Sequence, residues 1–289
     1  MGYPYTILDC HTHIYPEKIA AKAVKSIGDF YDIPMDRDGT VADLLRQADQ
    51  VGIQKSLALA VAVEARQVEH INDFLIRTVN EHADRLWGFG TLHADMENPG
   101  REVERVLKAG MKGIKLHPDM EDPAREVERV LKAGMKGIKL HPDMQHFSLG
   151  DEKADRLFAA CEGVCPMMFH TGDRRYRNSN PALIPPILDR HPDLTLICAH
   201  FGGYSEWDDA VRYLVDTGVY VDTSSTSFKL PADRIRELIS LFGEDRVLFG
   251  TDFPMWDAQP EIDFLLSLGL EDRVYRKIFS ENLLRLLGK

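Results

Sequence analysis

The chain lacks long apolar segments. No apolar run approaches the roughly 20 residues needed to cross a bilayer. Residues 1–6 have no basic stretch followed by an apolar one, so we expect neither a secretory signal nor a membrane anchor. Cysteine is scarce, and its positions do not favour a zinc site. Reduced thiols in a cytoplasmic protein are therefore expected for Cys10, Cys161, Cys165 and Cys198.

Positive charge is also in deficit. Lysine and arginine number 35 against 46 aspartates and glutamates, which gives a net charge of −11. Affinity for nucleic acid or for an anionic membrane needs clustered basic residues, so we expect neither partner. A small-molecule substrate is expected instead, and a local basic pocket could still accept an anion.

What the chain has is length and a regular alternation of patterns. Its 289 residues are 44% hydrophobic, which suits one large core, and we expect a single domain over residues 1–289. Short runs rich in branched and aromatic residues alternate with helical patterns, which requires parallel strands joined by helical crossovers. Eight such units predict an α/β fold, the (β/α)8 TIM barrel. The expected helices outside the repeat described below include residues 16–27, 41–50, 68–82, 154–161, 181–189, 208–215, 232–241 and 261–287.

Four of the apolar runs end in side chains that commonly bind metals. The C-terminal ends of parallel barrel strands converge on one face, so these side chains are expected to meet there. Three imidazoles and a carboxylate can bind a divalent cation and leave a position open for water. The side chains are His11 with His13, His170, His200 and Asp252.

Each of these residues also has an ordinary interpretation. His11 and His13 are two apart on a strand and so share a face, but alone they could be an ordinary pair. His170 could be a core histidine, although a polar loop follows it directly. Asp252 ends a strongly apolar strand and needs a partner, which could be a structural salt bridge.

An internal repeat lies in the fourth unit. Residues 101–120 read REVERVLKAGMKGIKLHPDM, and residues 125–144 repeat them without a change. Solenoid repeats come in at least three copies, so two identical copies indicate a recent or engineered in-frame duplication around residues 97–144. Since eight strands already close the barrel, we expect one copy to form strand four and the other to be extruded on the active-site face. We slightly favour the second copy for the strand.

The motifs together resemble the amidohydrolase superfamily. The His-x-His pair, the histidines ending strands five and six, the sequence Gly-Thr-Asp-Phe-Pro over residues 250–254 and the tail over 279–287 are similar to the amidohydrolase-related branch that includes aminocarboxymuconate semialdehyde decarboxylase. The resemblance implies a TIM barrel with one divalent metal, expected to be zinc. It also implies His200 as a catalytic acid/base, with the metal held by His11, His13, His170 and Asp252.

Strand four and a nearby loop suggest substrate-binding residues. Lys139 and His141 share one strand face, as do their counterparts in the first copy. The position of this lysine resembles the one where other branches carry a carbamylated lysine between two metals. The presence of a second metal therefore stays open. We favour a lysine that binds a substrate carboxylate. Arg174, close to His170, offers forked anion recognition, although exposed arginines are often only solvated.

These residues predict a metal-dependent hydrolase that uses a metal-activated water on a small, carboxylated lactone, ester or amide. Asp252 would also accept a proton from that water. A non-oxidative decarboxylase of the same branch is the enzymatic alternative. The third alternative is an inactive barrel, disabled by its duplicated segment. Oligomeric state stays open, and a homodimer would be ordinary for this branch.

Overall fold

The structure, a computed structural model, describes residues 3–59, 64–91, 113–115, 138–145, 147–163 and 166–287. Nine parallel strands in these ranges form one sheet in chain order, each paired with the next. This arrangement confirms the expected parallel α/β architecture. The strands are β1 (Ile7–His13), β2 (Ile53–Leu59), β3 (Leu86–Thr91), β4 (Gly113–Lys115), β5 (Ile138–Leu140), β6 (Met167–Phe169), β7 (Leu196–Cys198), β8 (Tyr220–Asp222) and β9 (Val247–Leu248).

The end of the sheet returns to its beginning. The backbone N–H of His13 donates to the Phe253 carbonyl over 2.6 Å, and the N–H of Asp252 donates to the His11 carbonyl over 2.8 Å. These bonds join β1 to the segment that follows β9, so the sheet closes into a barrel. The C-terminal ends of β1 and β9 therefore lie side by side.

Both copies of the repeat contribute a strand. β4 comes from the first copy and β5 from the second, and equivalent residues pair, with Ile114 opposite Ile138 and Lys115 opposite Lys139. The expected eight strands and the expected extrusion of one copy were therefore wrong for the described residues. The physical reason is that identical strands have the same alternation of faces, so a second copy extends the sheet without reversing it. The expected helices of the two copies lie outside the described residues.

Helices and single turns connect the strands. The helices are α1 (Glu17–Tyr31), α2 (Val41–Val51), α3 (Val68–Glu81), α4 (Pro142–Gln145), α5 (Glu152–Cys161), α6 (Ile184–Arg190), α7 (Trp207–Leu214), α8 (Ala232–Phe242), α9 (Ala258–Ser267), α10 (Asp272–Arg276) and α11 (Asn282–Leu286). The single helix expected over 261–287 is thus divided among α9, α10 and α11. Thr40 caps α2, because its hydroxyl accepts from the Asp43 N–H over 3.1 Å. No helix in the described ranges is long and apolar enough to cross a membrane.

The helix α1 continues past its expected end at Gly28. It ends at Tyr31, followed by Asp32 with a φ of 55°. A Cβ on Gly28 would lie 2.9 Å from the carbonyl oxygen of Ile33, so this glycine permits a close return of the chain and does not end the helix. The extra turn carries Tyr31 to the barrel mouth.

Two apolar clusters pack the barrel. The larger one fills the space between the strands and the surrounding helices. The smaller one includes Leu8, Leu57, Met168 and Ile197, and it packs against Leu283 of α11. Burial of this apolar interior supplies the main stabilisation and leaves polar side chains at the C-terminal strand ends.

Glu261 of α9 is the basis of a stability prediction. It is 8% exposed, and the Ser227 hydroxyl donates to its carboxylate. Burial raises the pKa of Glu261 from 4.5 to about 7; three nearby aspartates add to this, and the Ser227 bond opposes it. The folded state thus favours the protonated form of Glu261. The stability that the protonated side chain contributes is complete below pH 4.5 and is lost as pH rises towards 7.

We expect Glu261→Gln, which is always neutral, to raise the free energy of unfolding at pH 8 by on the order of 2 kcal/mol. At pH 4 the variant and the wild type should be about equally stable. Denaturant unfolding at both pH values measures this, with the exposed Glu237→Gln on α8 as the control. A Glu261→Gln effect that is the same at pH 4 and pH 8 would contradict the assignment.

Candidate metal centre and active site

The ends of β1 and β9 bring the expected histidine pair and carboxylate together. The Nε2 atom of His11 lies 3.4 Å from Oδ1 of Asp252, and Nε2 of His13 lies 3.7 Å from the same oxygen. Burial would raise the pKa of Asp252, but the neighbouring histidines and lysine outweigh it and hold the pKa below its usual range. Two imidazoles thus face one ionised carboxylate, as the sequence predicted.

His170 and His200 meet beside this group. Nδ1 of His170 lies 3.0 Å from Nε2 of His200, and the ring of His200 lies 5.5 Å from that of His11. Burial lowers the pKa of His200 to about 4, although two aspartates oppose it. Burial, with the positive fields of neighbouring histidines, also lowers the pKa of His170 well below its usual range. Both rings are therefore neutral at pH 7.

Asp222 is a site residue that sequence analysis did not single out. Its Oδ2 lies 3.1 Å from Nδ1 of His11, and its Oδ1 accepts from the backbone N–H of His200 over 3.0 Å. Burial would raise the pKa of Asp222, but the hydrogen bond from His11 and nearby positive charges hold it well below its usual range. The available signal was an acid at the end of an apolar strand, the same signal that identified Asp252.

The hydrogen-bond partners assign the protons of these rings. Ionised Asp222 can only accept, so His11 carries its proton on Nδ1 and keeps a lone pair on Nε2. His200 Nδ1 lies 3.1 Å from the Ser224 carbonyl, so this ring also carries its proton on Nδ1. Its Nε2 then accepts from Nδ1 of His170. His170 is left with a lone pair on Nε2, a buried atom with no hydrogen-bond partner in the described part of the chain.

The second repeat copy supplies Lys139 to the site. This lysine is 1% exposed, and its Nζ lies 3.1 Å from Nε2 of His11. Burial lowers the pKa of Lys139, while Asp222 and Asp252 oppose the shift. A buried cationic donor therefore faces the same His11 lone pair that a metal would use.

His141, from the same copy, lies one layer nearer the mouth. Its ring stacks on His170 with centroids 4.2 Å apart and planes at 9°. Its Nε2 lies 2.7 Å from the Tyr31 hydroxyl. The structure thus brings both expected strand residues to the site, together with Tyr31, which sequence analysis did not identify.

Arg174 and Arg175 differ in their surroundings. Arg174 donates from Nη2 to the Ser205 carbonyl over 2.8 Å and lies on the exposed loop. Arg175 pairs with buried Asp173 over 2.7 Å, and its guanidinium lies 5.3 Å from the Tyr31 ring. The substrate-binding role of Arg174 stays a prediction, and Arg175 is the arginine that packs against the aromatic mouth.

Aromatic rings form the rest of the mouth. Tyr204 lies 5.5 Å from His200 and 5.2 Å from Tyr31, measured between ring centroids. Phe228 and Trp256 stack 4.3 Å apart, so Trp256 lies in an aromatic wall. The open side of the histidine cluster is therefore lined by flat rings.

Strained backbone positions mark several strand ends of the site. His200, Ser225 and Asp252 have φ values of 61°, 53° and 60°. Each non-glycine residue in this left-handed region of backbone conformation adds strain on the order of 1–3 kcal/mol. Such strain persists where the surrounding packing requires a particular side-chain direction. The three strained residues here are candidate site residues or contact them.

The donor set fits a divalent metal. One ligand atom from each of His11, His13 and Asp252 lies within 4.8 Å of the others. His170 adds a buried nitrogen lone pair that has no hydrogen-bond partner among the described residues. Nitrogen lone pairs with one carboxylate oxygen suit zinc and other first-row divalent ions. Asp222 is also near His11 and His200, but its hydrogen bonds orient them.

Asp222 should therefore act on the metal through His11. Carboxylates that hold the far nitrogen of a ligating histidine fix its tautomer, and their loss costs about 10- to 100-fold in metal affinity. We expect a weakening of this size from Asp222→Asn, measured by titration against a competing chelator. Asp216→Asn, an exposed change on the turn before β8, is the control, and equal affinity in the two variants would exclude this role for Asp222.

Comparison with known proteins adds a family and a fold. A family model described as amidohydrolase matches residues 117–289. A search of curated proteins found no match. Among solved structures, an uncharacterised TIM-barrel protein from Bordetella bronchiseptica aligns with a TM-score of 0.70 and 18% identity over 98% of each chain.

Two further solved structures have named activities. The 5-carboxyvanillate decarboxylase from Sphingomonas paucimobilis aligns with a TM-score of 0.65 and 16% identity, over 98% of this chain and 99% of the other. A dihydroxybenzoic acid decarboxylase from Polaromonas sp. JS666, which holds manganese and the inhibitor 2-nitroresorcinol, gives a TM-score of 0.63 and 20% identity over 98% and 97%. Identities this low establish a shared fold.

Proposed function

The chain belongs to the amidohydrolase family, and we propose that it is a metal-dependent, non-oxidative decarboxylase of a small aromatic carboxylic acid. The observation that carries this proposal is the flat, ring-lined mouth beside the buried histidines, formed by Tyr31, Tyr204 and the Phe228–Trp256 stack. Such a slot suits a planar substrate, and the cation Lys139 lies inside the site. The named activities of two structures with this fold give further support, so decarboxylation is preferred over the hydrolysis that we first expected.

We propose that His11, His13, His170 and Asp252 hold one divalent metal, as the family resemblance implies. When bound, the ion would supply positive charge that stabilises oxygens of the substrate. Zinc was expected from the sequence, but the same ligand types accept manganese, which the relative from Polaromonas holds. We therefore propose a divalent ion without preferring zinc.

The chain's own residues would manage the carboxylate and the proton. Lys139 would hold the substrate carboxylate by charge-assisted hydrogen bonds. His200, whose Nδ1 proton is donated to the Ser224 carbonyl, would take a proton from solvent on its Nε2 lone pair and transfer it. That proton reaches the ring carbon that carries the carboxylate. The ring supplies the electron pair of the new C–H bond. The carbon–carbon bond then breaks, carbon dioxide leaves, and the pair from that bond restores the ring. Asp252 would hold the proton of a substrate hydroxyl.

A hydrolase is the second candidate, and Lys139 is the observation that favours it. A buried lysine with a lowered pKa can react with carbon dioxide to form a carbamate, which bridges two metals in other branches of the superfamily. In that case the substrate would be a lactone, ester or amide. The placement of Lys139 and His141 beside the other site residues counts against a barrel disabled by its duplication.

Product analysis in isotopically labelled water separates the two reactions. The metal-loaded protein is incubated with 2,6-dihydroxybenzoate, 5-carboxyvanillate and an aryl lactone in ¹⁸O water, and the products are analysed by mass spectrometry. We expect loss of carbon dioxide from an aromatic acid with no ¹⁸O in the organic product. Incorporation of ¹⁸O into an opened lactone, with the acids untouched, would reject the decarboxylase in favour of the hydrolase.

A further inference from the structure

The two carboxylate oxygens of Asp252 have different partners. Oδ1 lies 3.4 Å from Nε2 of His11 and 3.7 Å from Nε2 of His13. Oδ2 accepts a hydrogen bond from the Ser225 hydroxyl over 2.9 Å. Both oxygens of an ionised carboxylate are acceptors, and the serine occupies one of them. The bond from Ser225 therefore holds the carboxylate with Oδ1 facing the imidazoles.

The Ser225 hydroxyl is itself oriented by an indole. Nε1 of Trp256 donates to its oxygen over 2.7 Å, and an indole nitrogen can only donate. The single hydroxyl proton of Ser225 must therefore go to another group. The Asp252 carboxylate at 2.9 Å and the Met255 sulfur at 3.6 Å are within reach, and a thioether is the weaker acceptor. The two hydrogen bonds thus run in one direction, from Trp256 through Ser225 to Asp252.

Packing and backbone conformation hold all three residues in place. Ser225 is fully buried, and both Ser225 and Asp252 have a positive φ, a strained conformation that persists only where the surroundings require it. The Trp256 ring stacks on Phe228 in the wall of the mouth. Hydrogen bonds in such a chain polarise one another, so the chain is stronger than its separate bonds. The three side chains therefore connect the barrel mouth to the candidate metal ligands.

We propose that Trp256 and Ser225 form a positioning relay that holds Asp252 ready for the metal and couples the aromatic wall to the metal centre. Ser225 is a positioning residue because it acts through Asp252, and Trp256 acts through Ser225. Coupling between two sites is reciprocal, so a metal bound at Asp252 should also change the surroundings of the Trp256 indole. The inference rests on the proposed set of metal ligands and adds two residues to it.

Titration of the full chain with zinc against a competing chelator tests the relay without turnover. We expect Ser225→Ala to weaken zinc binding about tenfold, since a hydrogen bond to a charged group is worth this much. Ser225→Gly also removes the hydroxyl, but glycine suits the positive φ, so an equal weakening in this variant excludes a folding defect as the cause. Trp256→Phe keeps a ring that can stack and loses only the N–H, and it should weaken binding by about threefold.

The indole N–H signals give a second measurement that a purely structural serine would not affect. Protein labelled with ¹⁵N-tryptophan has one such signal for each of Trp87, Trp207 and Trp256, and Trp256→Phe identifies the last by its loss. We expect diamagnetic zinc to shift the Trp256 signal in the wild type. The same addition of zinc should shift it much less in Ser225→Ala, because the connecting hydroxyl is missing.

Ser227→Ala is the matched control from the same loop. The Ser227 hydroxyl donates to Glu261 and not to a candidate ligand, so this variant should keep the wild-type zinc affinity and the wild-type Trp256 shift. Wild-type affinity in both Ser225 variants would overturn the relay and leave the metal site standing. A wild type that binds no zinc or manganese would overturn the proposed ligand set, and the relay with it.

Discussion

The double variant His11→Ala, His170→Ala should retain less than about a tenth of a metal ion per chain and lose at least about 10³-fold in turnover. The reason is that both residues present Nε2 lone pairs whose opposite nitrogens are fixed by Asp222 and His200. Removing them leaves His13 and Asp252, too few ligands to hold an ion through dialysis. Elemental analysis after dialysis measures the loss.

The surface histidine on α3 provides the control for this prediction. His70→Ala should keep about one metal ion per chain and wild-type turnover. Circular dichroism on both variants checks that the barrel remains folded. A double variant that keeps its full metal content would reject the proposed ligand set, and one that keeps its activity without metal would reject the proposed chemistry.

Lys139→Met should lower turnover by at least about 10²-fold while leaving the melting temperature unchanged or higher. The lysine is fully buried, and replacing a buried charge by an apolar side chain of similar size is often neutral or stabilising. Its ammonium is nevertheless the donor next to His11 that would hold the substrate carboxylate. Steady-state kinetics and thermal unfolding on the same preparation measure the two effects separately.

The duplication supplies a matched control, Lys115→Met, in an identical local sequence. This change on β4 should leave turnover near the wild-type value, because the site uses the copy on β5. A variant that lacks residues 97–120 should also remain active, since β5 and Lys139 are kept. If Lys139→Met keeps wild-type turnover and loses it only when Lys115 is changed as well, the first copy can occupy the site.

The cluster of candidate metal ligands was predictable because its signals are local. His11 and His13 share a strand face by the two-residue period, and Asp252 ends an apolar strand that can hardly leave a carboxylate unpaired. The parallel barrel then brings such strand ends together. Asp222 carried the same local signal as Asp252, an acid at the end of an apolar strand.

The mouth was not predictable from local signals. Tyr31 reaches it only because α1 continues through Gly28, where the chain returning after the helix brings the Ile33 carbonyl within 2.9 Å of the position that a Cβ would occupy. Tyr204 and Phe228 lie on loops after β7 and β8, and no periodicity places loop residues. The buried Tyr204 hydroxyl, which has no hydrogen-bond partner among the described residues, becomes visible only when every neighbouring acceptor can be counted.

By itself the sequence determined the alternation of strands and helices, the family, and the candidate ligands at the strand ends, because each depends on residue type and short-range spacing. Only the tertiary structure decided that both copies of the repeat enter the sheet. A barrel of eight strands and one of nine bury the same apolar pattern, and they differ only in how the last strand meets the first. It also decided which nitrogens of His11, His170 and His200 keep a lone pair. Asp222, Ser224 and His170 assign those protons through hydrogen bonds between residues far apart in the chain.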